Sequence, residues 1–275
     1  MSVAVLLGLL SAVANAASAV VSKDLARRFP ARQLIGPLFA LNALVLLPAA
    51  PFVSWTWTPT VALLHGISVG LLIITALAVW DLFDHGAASA TVAAQSLSPL
   101  PTALAVAVLL PGVMEPVQAV AAVIVVGAVT AALADSFEAL GRARTLLTVL
   151  AAATGTGLVT VMGRLLADEG AGVVETYVVR TAVAAAIFMA AFPPRDIPLR
   201  QLPRLTIRAV LVTAHFVLIL IGVQDGSPAE VQTAVATAPL LVLAWEVART
   251  RRRPSGRVVI ASLAAATGVS VLLLT

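Results

Sequence analysis

The sequence has no cysteine, one tyrosine and three histidines, and charge is scarce: Asp, Glu, Lys and Arg together make up 11% of 275 residues. Without cysteine there is no disulfide framework, no thiolate metal site and no cysteine nucleophile. A soluble globular chain carries about 25% charged residues. Here 60% of residues are hydrophobic and the mean hydropathy is +1.05. A small soluble domain leaves too much of its surface in water to hide such a composition. The bilayer is therefore the expected solvent. A soluble enzyme, a nucleic-acid binder and a disordered chain are excluded. His65, His85 and His215 lack the paired spacing of a metal site, and no carboxylate lies mid-span to ligate a hard cation. His-Glu-x-x-His, a phosphate loop and a dinucleotide glycine pattern are all missing. Neither catalysis, nor a cofactor, nor a resident metal is expected.

What is present is a succession of apolar runs. A membrane helix needs about 20 mostly apolar residues. The runs between charged or Pro/Gly breaks give ten spans: 3–22, 34–53, 59–80, 87–109, 116–135, 145–165, 172–192, 206–223, 229–248 and 257–274. No room is left for a domain outside the membrane. Ala14-Asn15-Ala16 has the look of a cleavage site, but no Lys or Arg precedes Val3, so a signal peptide is not expected. Ser227-Pro228-Ala229-Glu230 has a capping serine, a proline at the first helical position and a glutamate three residues after the serine. Glu115-Pro116 opens another span similarly. Abundant Ala, Gly, Ser and Thr suits a closely packed helix bundle.

The chain also repeats itself with a shift of about 140 residues. Gly86-Ala87 and Gly226-Ser227 each stand within two residues of a preceding acidic residue, Asp84 or Asp225, and thirteen residues after each glycine stands Pro99-Leu100 or Pro239-Leu240. Phe39-Ala40-Leu41-Asn42 parallels Tyr177-Val178-Val179-Arg180, and Ser22-Lys23 parallels Gly163-Arg164. Five spans per copy is an odd number, so tandem copies at 1–138 and 139–275 lie in opposite orientations. The expected fold is an all-α integral membrane bundle of ten transmembrane helices, two inverted five-helix repeats, with a small molecule bound between them near the midplane.

The stretch from Asp84 to Leu104, a small-residue turn leading into Leu97-Ser98-Pro99-Leu100, carries a resemblance, as does its second copy from Gly226 to Leu243. The chain resembles the drug/metabolite transporter superfamily in its EamA-type, ten-helix form, over nearly its whole length. The resemblance implies an exporter or exchanger of small metabolites, amino acids or drugs, with substrate in a central cavity. The arginine common in the family's second helix is Asn42 here, while the seventh keeps Arg180. The usual Gly-Glu ending the fourth and ninth helices is replaced by Pro111-Gly112-Val113-Met114-Glu115 and by Arg253-Pro254-Ser255. The helix-one carboxylate of small multidrug relatives has no counterpart. The reading is a secondary-active carrier of an anionic or amino-acid-like metabolite. A multidrug or cation exporter, and a non-transporting or lipid-handling membrane partner, remain as alternatives. The chain is expected as a monomer or homodimer among membrane lipids.

Arg180 is the sharpest single signal. Placing an arginine mid-span costs about 3 kcal/mol on insertion scales, so it faces a polar cavity or a partner. A guanidinium can anchor a carboxylate bidentately; the alternative is a structural pair with Glu175, Asp84 or a carbonyl. Tyr177 is one turn earlier and shares its face. Glu175 projects to another face of the same helix. His215, central in its span, is a proton relay or a neutral ring bonded to a carbonyl. His65 is a weaker candidate. Asn15, Asn42 and Gln95 are amides able to line a cavity, and Gln232 is a fourth amide within a span. Trp80, Asp81, Asp84 and His85 gather at one membrane edge, either as a gate with proton entry or as an ordinary rim with tryptophan in its aromatic belt. Pro99 and Pro239 mark bends. Trp55 and Trp57 read as belt residues, and Glu246 with Arg249 as an ion pair.

Of the 17 Lys and Arg, fourteen fall after the first, fifth, seventh and ninth spans. Such a bias marks cytoplasmic connections and accounts for the net charge of +4 and the pI of 10.9. The expected location is a bacterial-type inner (plasma) membrane with both termini outside. Labelling of the two termini in intact cells checks this: impermeant reagent should reach both, and protection of both would reverse the orientation.

Overall fold

The computed structural model describes residues 2–85, 88–132, 143–194 and 197–250, together with 256, 260, 263–265, 267 and 268. Among these residues every regular element is helical. The order is α1 (Val3–Ala26), α2 (Ala31–Leu46) with a 3-10 turn (Leu47–Phe52), α3 (Pro59–His85), α4 (Ala88–Gln95), α5 (Pro99–Leu109), α6 (Pro116–Ala132), α7 (Ala143–Asp168) and α8 (Val173–Ala191). A 3-10 turn (Leu199–Gln201) then leads into α9 (Leu202–Asp225), followed by α10 (Pro228–Val235) and α11 (Ala238–Thr250). Eight stretches are long and apolar enough to cross a membrane, with α4–α5 and α10–α11 each running as one stretch, and α6 is a shorter apolar helix. Over the described residues the first nine expected spans coincide with these helices, whereas two thirds of 257–274 falls outside the described residues.

Two interruptions trace to proline. Pro99 lies in the first turn of α5 and Pro239 in that of α11. Proline has no N–H to continue the preceding helix and its ring clashes with the carbonyl four residues back. The fourth and ninth expected spans are therefore each two helices meeting at a turn, at 96–98 and 236–237. Pro203 acts differently. It sits in the first turn of α9, where a missing N–H costs nothing, so that helix begins earlier than the expected 206. Ser227 caps α10 as its pattern predicts, accepting the Ala229 N–H at 3.3 Å. Glu230 does not close a capping box; it accepts the Ser2 hydroxyl instead.

Each helix is sorted for a hydrocarbon solvent. On α1 the inward stripe is small or polar (Ala4, Gly8, Ser11, Asn15, Ser18, Ser22), while Val3, Leu6, Leu10 and Val13 point outward. On α3 Leu63, Ile67 and Ile74 are likewise exposed. Lipid tails are as apolar as leucine, so the inward stripes pack through close fit and internal polar bonds. The most extensive contacts join α1 to α9, α3 to α7 and α2 to α8. Phe39 and Phe188 stack at 5.7 Å across the α2–α8 contact, among Leu34, Ile35 and Leu38. Asp24, near the end of α1, meets Arg204 of α9 at 3.0 Å, which puts these elements at one arginine-rich end. Ser2, Glu230, Thr56 and Gly170 lie at the other end.

At Gly8 the backbones of α1 and α10 come so close that a Cβ would stand 2.7 Å from the Ala234 Cβ and 2.9 Å from the Val231 carbonyl oxygen. At Gly70, on the lipid face of α3, a Cβ meets nothing within 4 Å. Gly8→Val should therefore lower stability in thermal melts by about 1–3 kcal/mol through overpacking. Gly70→Ala should change it by less than about 1 kcal/mol.

Candidate substrate cavity

Two adjoining cavities open among α1, α2, α3, α8 and α9, sharing Phe39, Asn42, Leu72 and Phe216 in their walls. The first also holds Tyr177, Arg180 and Thr181. The second, with about 590 Å³ between its atoms including its mouth, holds Asn15, Gln95, Arg208 and His215. The six residues read from the sequence as cavity-lining thus stand on the walls of these two adjoining cavities.

Arg180 is 4% exposed, yet its Nε and Nη2 have no hydrogen-bonding partner. Neither a carbonyl nor Glu175 satisfies them. The guanidinium rests against α7 where there is no side chain, 3.8 Å from where a Gly163 Cβ would be. On the same wall Asn42 Oδ1 is a buried acceptor, also without a partner. Unmet donors and an unmet acceptor therefore face one small space. Tyr177 is where its spacing from Arg180 predicts, but its hydroxyl is bonded to Thr213 Oγ1 at 2.9 Å. It acts more as a wall than as a free ligand.

His215 is held firmly. Ser11 Oγ donates to the His215 carbonyl at 3.0 Å and lies 2.6 Å from Nδ1. The hydroxyl has one proton, and with that proton on the carbonyl it accepts from Nδ1–H. The Ser11 carbonyl, 3.2 Å from Nδ1, accepts as well. A neutral ring held this way keeps Nε2 as an acceptor. The expected histidine–carbonyl bond exists, in a ring that also lines the cavity.

Arg208, counted in the sequence with a cytoplasmic connection, lies inside α9 and on the cavity wall. Its Nε donates to Ser22 Oγ at 3.2 Å, and its guanidinium sits 5.5 Å from the centre of the Trp80 ring. Trp80 is accordingly no aromatic-belt residue. It is 3% exposed, and its ring is matched to a cation and to the edge of Phe83 at 5.7 Å. Asp81 and Asp84 line a separate groove with Arg32 and Thr148 that meets the cavity only across Trp80. The side chains of His85 and Glu246 lie outside the described residues. Arg249 stacks on Trp245 at 5.2 Å. Trp55 and Trp57 are exposed, stacked on each other at 6.5 Å.

At the two helix breaks a polar bridge crosses the molecule. Gln232, fully buried on α10, accepts from Ser98 Oγ at 2.9 Å and donates to Thr160 Oγ1 on α7. Pro99, next after Ser98, and Pro239, beyond the end of α10, are both buried. Among the described residues no three His, Cys, Asp or Glu side chains gather as a metal site.

The model of the EamA-like transporter family matches residues 143–274. A solved structure described as "Crystal structure of protein" superposes with a TM-score of 0.76 at 20% identity, over 99% of this chain and 98% of that one, which shows a shared fold. No curated protein matches the sequence.

The Gln232 bridge is structural by its geometry, since both of its amide atoms are used. Gln232→Leu should cost about 1–3 kcal/mol in thermal melts, because it leaves the Ser98 hydroxyl without its acceptor and removes the donor to Thr160 Oγ1. Adding Ser98→Ala to that variant should cost less than Ser98→Ala does alone.

Proposed function

From the match of residues 143–274 to the EamA-like transporter family model and the multi-pass membrane architecture, we propose that the chain is an EamA-like, secondary-active exporter or exchanger of a small anionic or amino-acid-like metabolite. The observation that carries this is Arg180: a buried guanidinium with Nε and Nη2 unpartnered, facing a cavity. A buried cation left unpaired is costly. A carboxylate entering the cavity supplies the missing acceptor bidentately, and Asn42 Oδ1 on the same wall suits an ammonium or other N–H donor of the same molecule. A non-transporting membrane partner would instead have these polar groups bonded between helices.

The halves 1–138 and 139–275 act in this reading as two inverted repeats in a ten-helix bundle. Supporting it, the α1–α9 and α3–α7 contacts are counterparts under exchange of the halves, and a proline-interrupted helix occurs in each. Access alternates by rocking about the breaks at Pro99 and Pro239. The arginine-rich connections face the cytoplasm of an inner or plasma membrane, with both termini outside. Asn15, Gln95 and His215 complete the polar wall, and Trp80 with Arg208 closes the cavity toward Asp84 and the arginine-rich end.

Thermal melts of purified protein across a metabolite library test the reading. At 100 times its dissociation constant a ligand stabilises the folded state by about 2.7 kcal/mol. Acidic or zwitterionic compounds should raise the melting temperature of the unmodified protein. Arg180→Met should bind them at least about thirtyfold more weakly. Equal stabilisation of both proteins by lipophilic cations alone would overturn it.

A further inference from the structure

Of the nine buried side-chain nitrogen and oxygen atoms without a hydrogen-bonding partner among the described residues, five belong to three residues on two facing helices. They are both ring nitrogens of His65 on α3, Oε1 of Glu175 on α8, and Nε and Nη2 of Arg180 on α8. Buried polar groups are nearly always paired, so such a concentration marks a missing ligand. Part of it is the substrate anion proposed above for Arg180. The rest has the chemistry of a proton site.

Glu175 is fully buried, and its Oε2 accepts the Thr56 N–H at 3.0 Å. Its Oε1 stands 3.8 Å from His65 Nε2, too far for a hydrogen bond. A neutral His65 already carries one ring N–H; one further proton, on its second ring nitrogen or on the Glu175 carboxylate, makes the pair neutral overall. His65 is 3% exposed, with the exposed Trp57 ring 6.1 Å away. The 53–58 connection, through Thr56 and Trp57, thus covers the pair on the side of the membrane edge opposite the arginine-rich end.

The surrounding charges are few. Arg180 and Glu175 are the charges that act on His65. On α7, Arg164 and Asp168 pair with each other at 2.9 Å, and Glu169 follows in the next turn. The Arg32 of α2 lies at the far end of α8, over Phe192. On α9, Arg208 and His215 line the second cavity, and the 53–58 connection carries no charge. The local balance is thus one guanidinium against one carboxylate. A monoanion bound to Arg180 leaves one negative charge uncompensated in a site closed to water, where unpaired charge is expensive. One proton from the aqueous phase, taken by Glu175 or His65, restores neutrality.

We propose that His65 and Glu175 form a proton-binding site coupled to the Arg180 site, so that each monoanion binds together with one proton and is carried as an electroneutral pair. This rests on the reading of Arg180 as a substrate anchor. A zwitterion carries its own compensating ammonium and binds without a proton.

The test is calorimetric titration of the nanodisc-embedded protein with acetate, benzoate and pyruvate, and with glycine and alanine, in two buffers of different ionisation enthalpy. Monoanions should take up about one proton each, with affinity falling by up to about tenfold per pH unit above the point where the pair titrates. Glycine and alanine should take up none. Glu175→Gln should bind the monoanions without proton uptake and with affinity independent of pH. As a check needing no variant, infrared spectra of the unmodified protein should gain a protonated-carboxyl or imidazolium band when a monoanion is added. Monoanion binding without proton uptake, or unchanged pH dependence in Glu175→Gln, overturns the coupling and leaves the Arg180 reading standing. Failure of every compound to bind the unmodified protein removes both.

Discussion

In hydrocarbon a polar side chain has no solvent to turn to, and this constraint arranges everything else in the molecule. It sends the serines and Asn15 of α1 inward and Leu6, Leu10 and Val13 outward. Inward stripes made of small residues then let helices approach until backbones nearly touch, as at Gly8. Where larger polar groups turn inward instead, around Arg180, Arg208 and His215, the helices cannot close up. The cavity is what that leaves. Fold and site thus share one origin.

The interior polar groups fall into two kinds. Gln232, Tyr177 and the Nδ1 of His215 have their partners, supplied by helices distant in sequence. These bonds hold the bundle. Arg180 Nε and Nη2, Asn42 Oδ1, the His65 ring nitrogens and Glu175 Oε1 do not. An unmet buried charge persists only where the surrounding packing holds it, and such positions cluster at functional sites. The contrast between the two kinds, more than burial or residue type, separates binding groups from struts here.

Most of the helix order was legible in the sequence because a membrane leaves a strong imprint: apolar runs and a proline at each interruption. The cavity residues were legible for the same reason, since hydrocarbon tolerates an arginine or an amide inside such a run only where it meets a cavity or a polar partner. Three things were not. Arg208 was hidden among the arginines of a connection, because Pro203 reads as a loop and only the structure shows it opening α9. Trp80, beside Asp81 at the end of a run, has the signature of an interfacial residue, and its burial depends on the approach of Arg208. The meeting of His65 with Glu175, and of Ser98 with Gln232, joins residues more than a hundred positions apart. No local pattern records such a meeting.

The near-contact of α1 with α10 bears on how the molecule deforms. Gly8 lies against Val231 and Ala234, and a Cβ at Gly226 would run into Ala4, so only small side chains such as Ala4 and Ala234 stand between the backbones at these points. Two backbones seated so closely behave as one stiff beam. The beam does not follow the order of the chain: its first member comes from the amino-terminal half and its second from the carboxy-terminal half. The α3–α7 contact crosses between the halves in the same way. Hinged parts of this protein would then be interlaced assemblies drawn from both halves, and the seam that opens would run between them rather than along the duplication boundary.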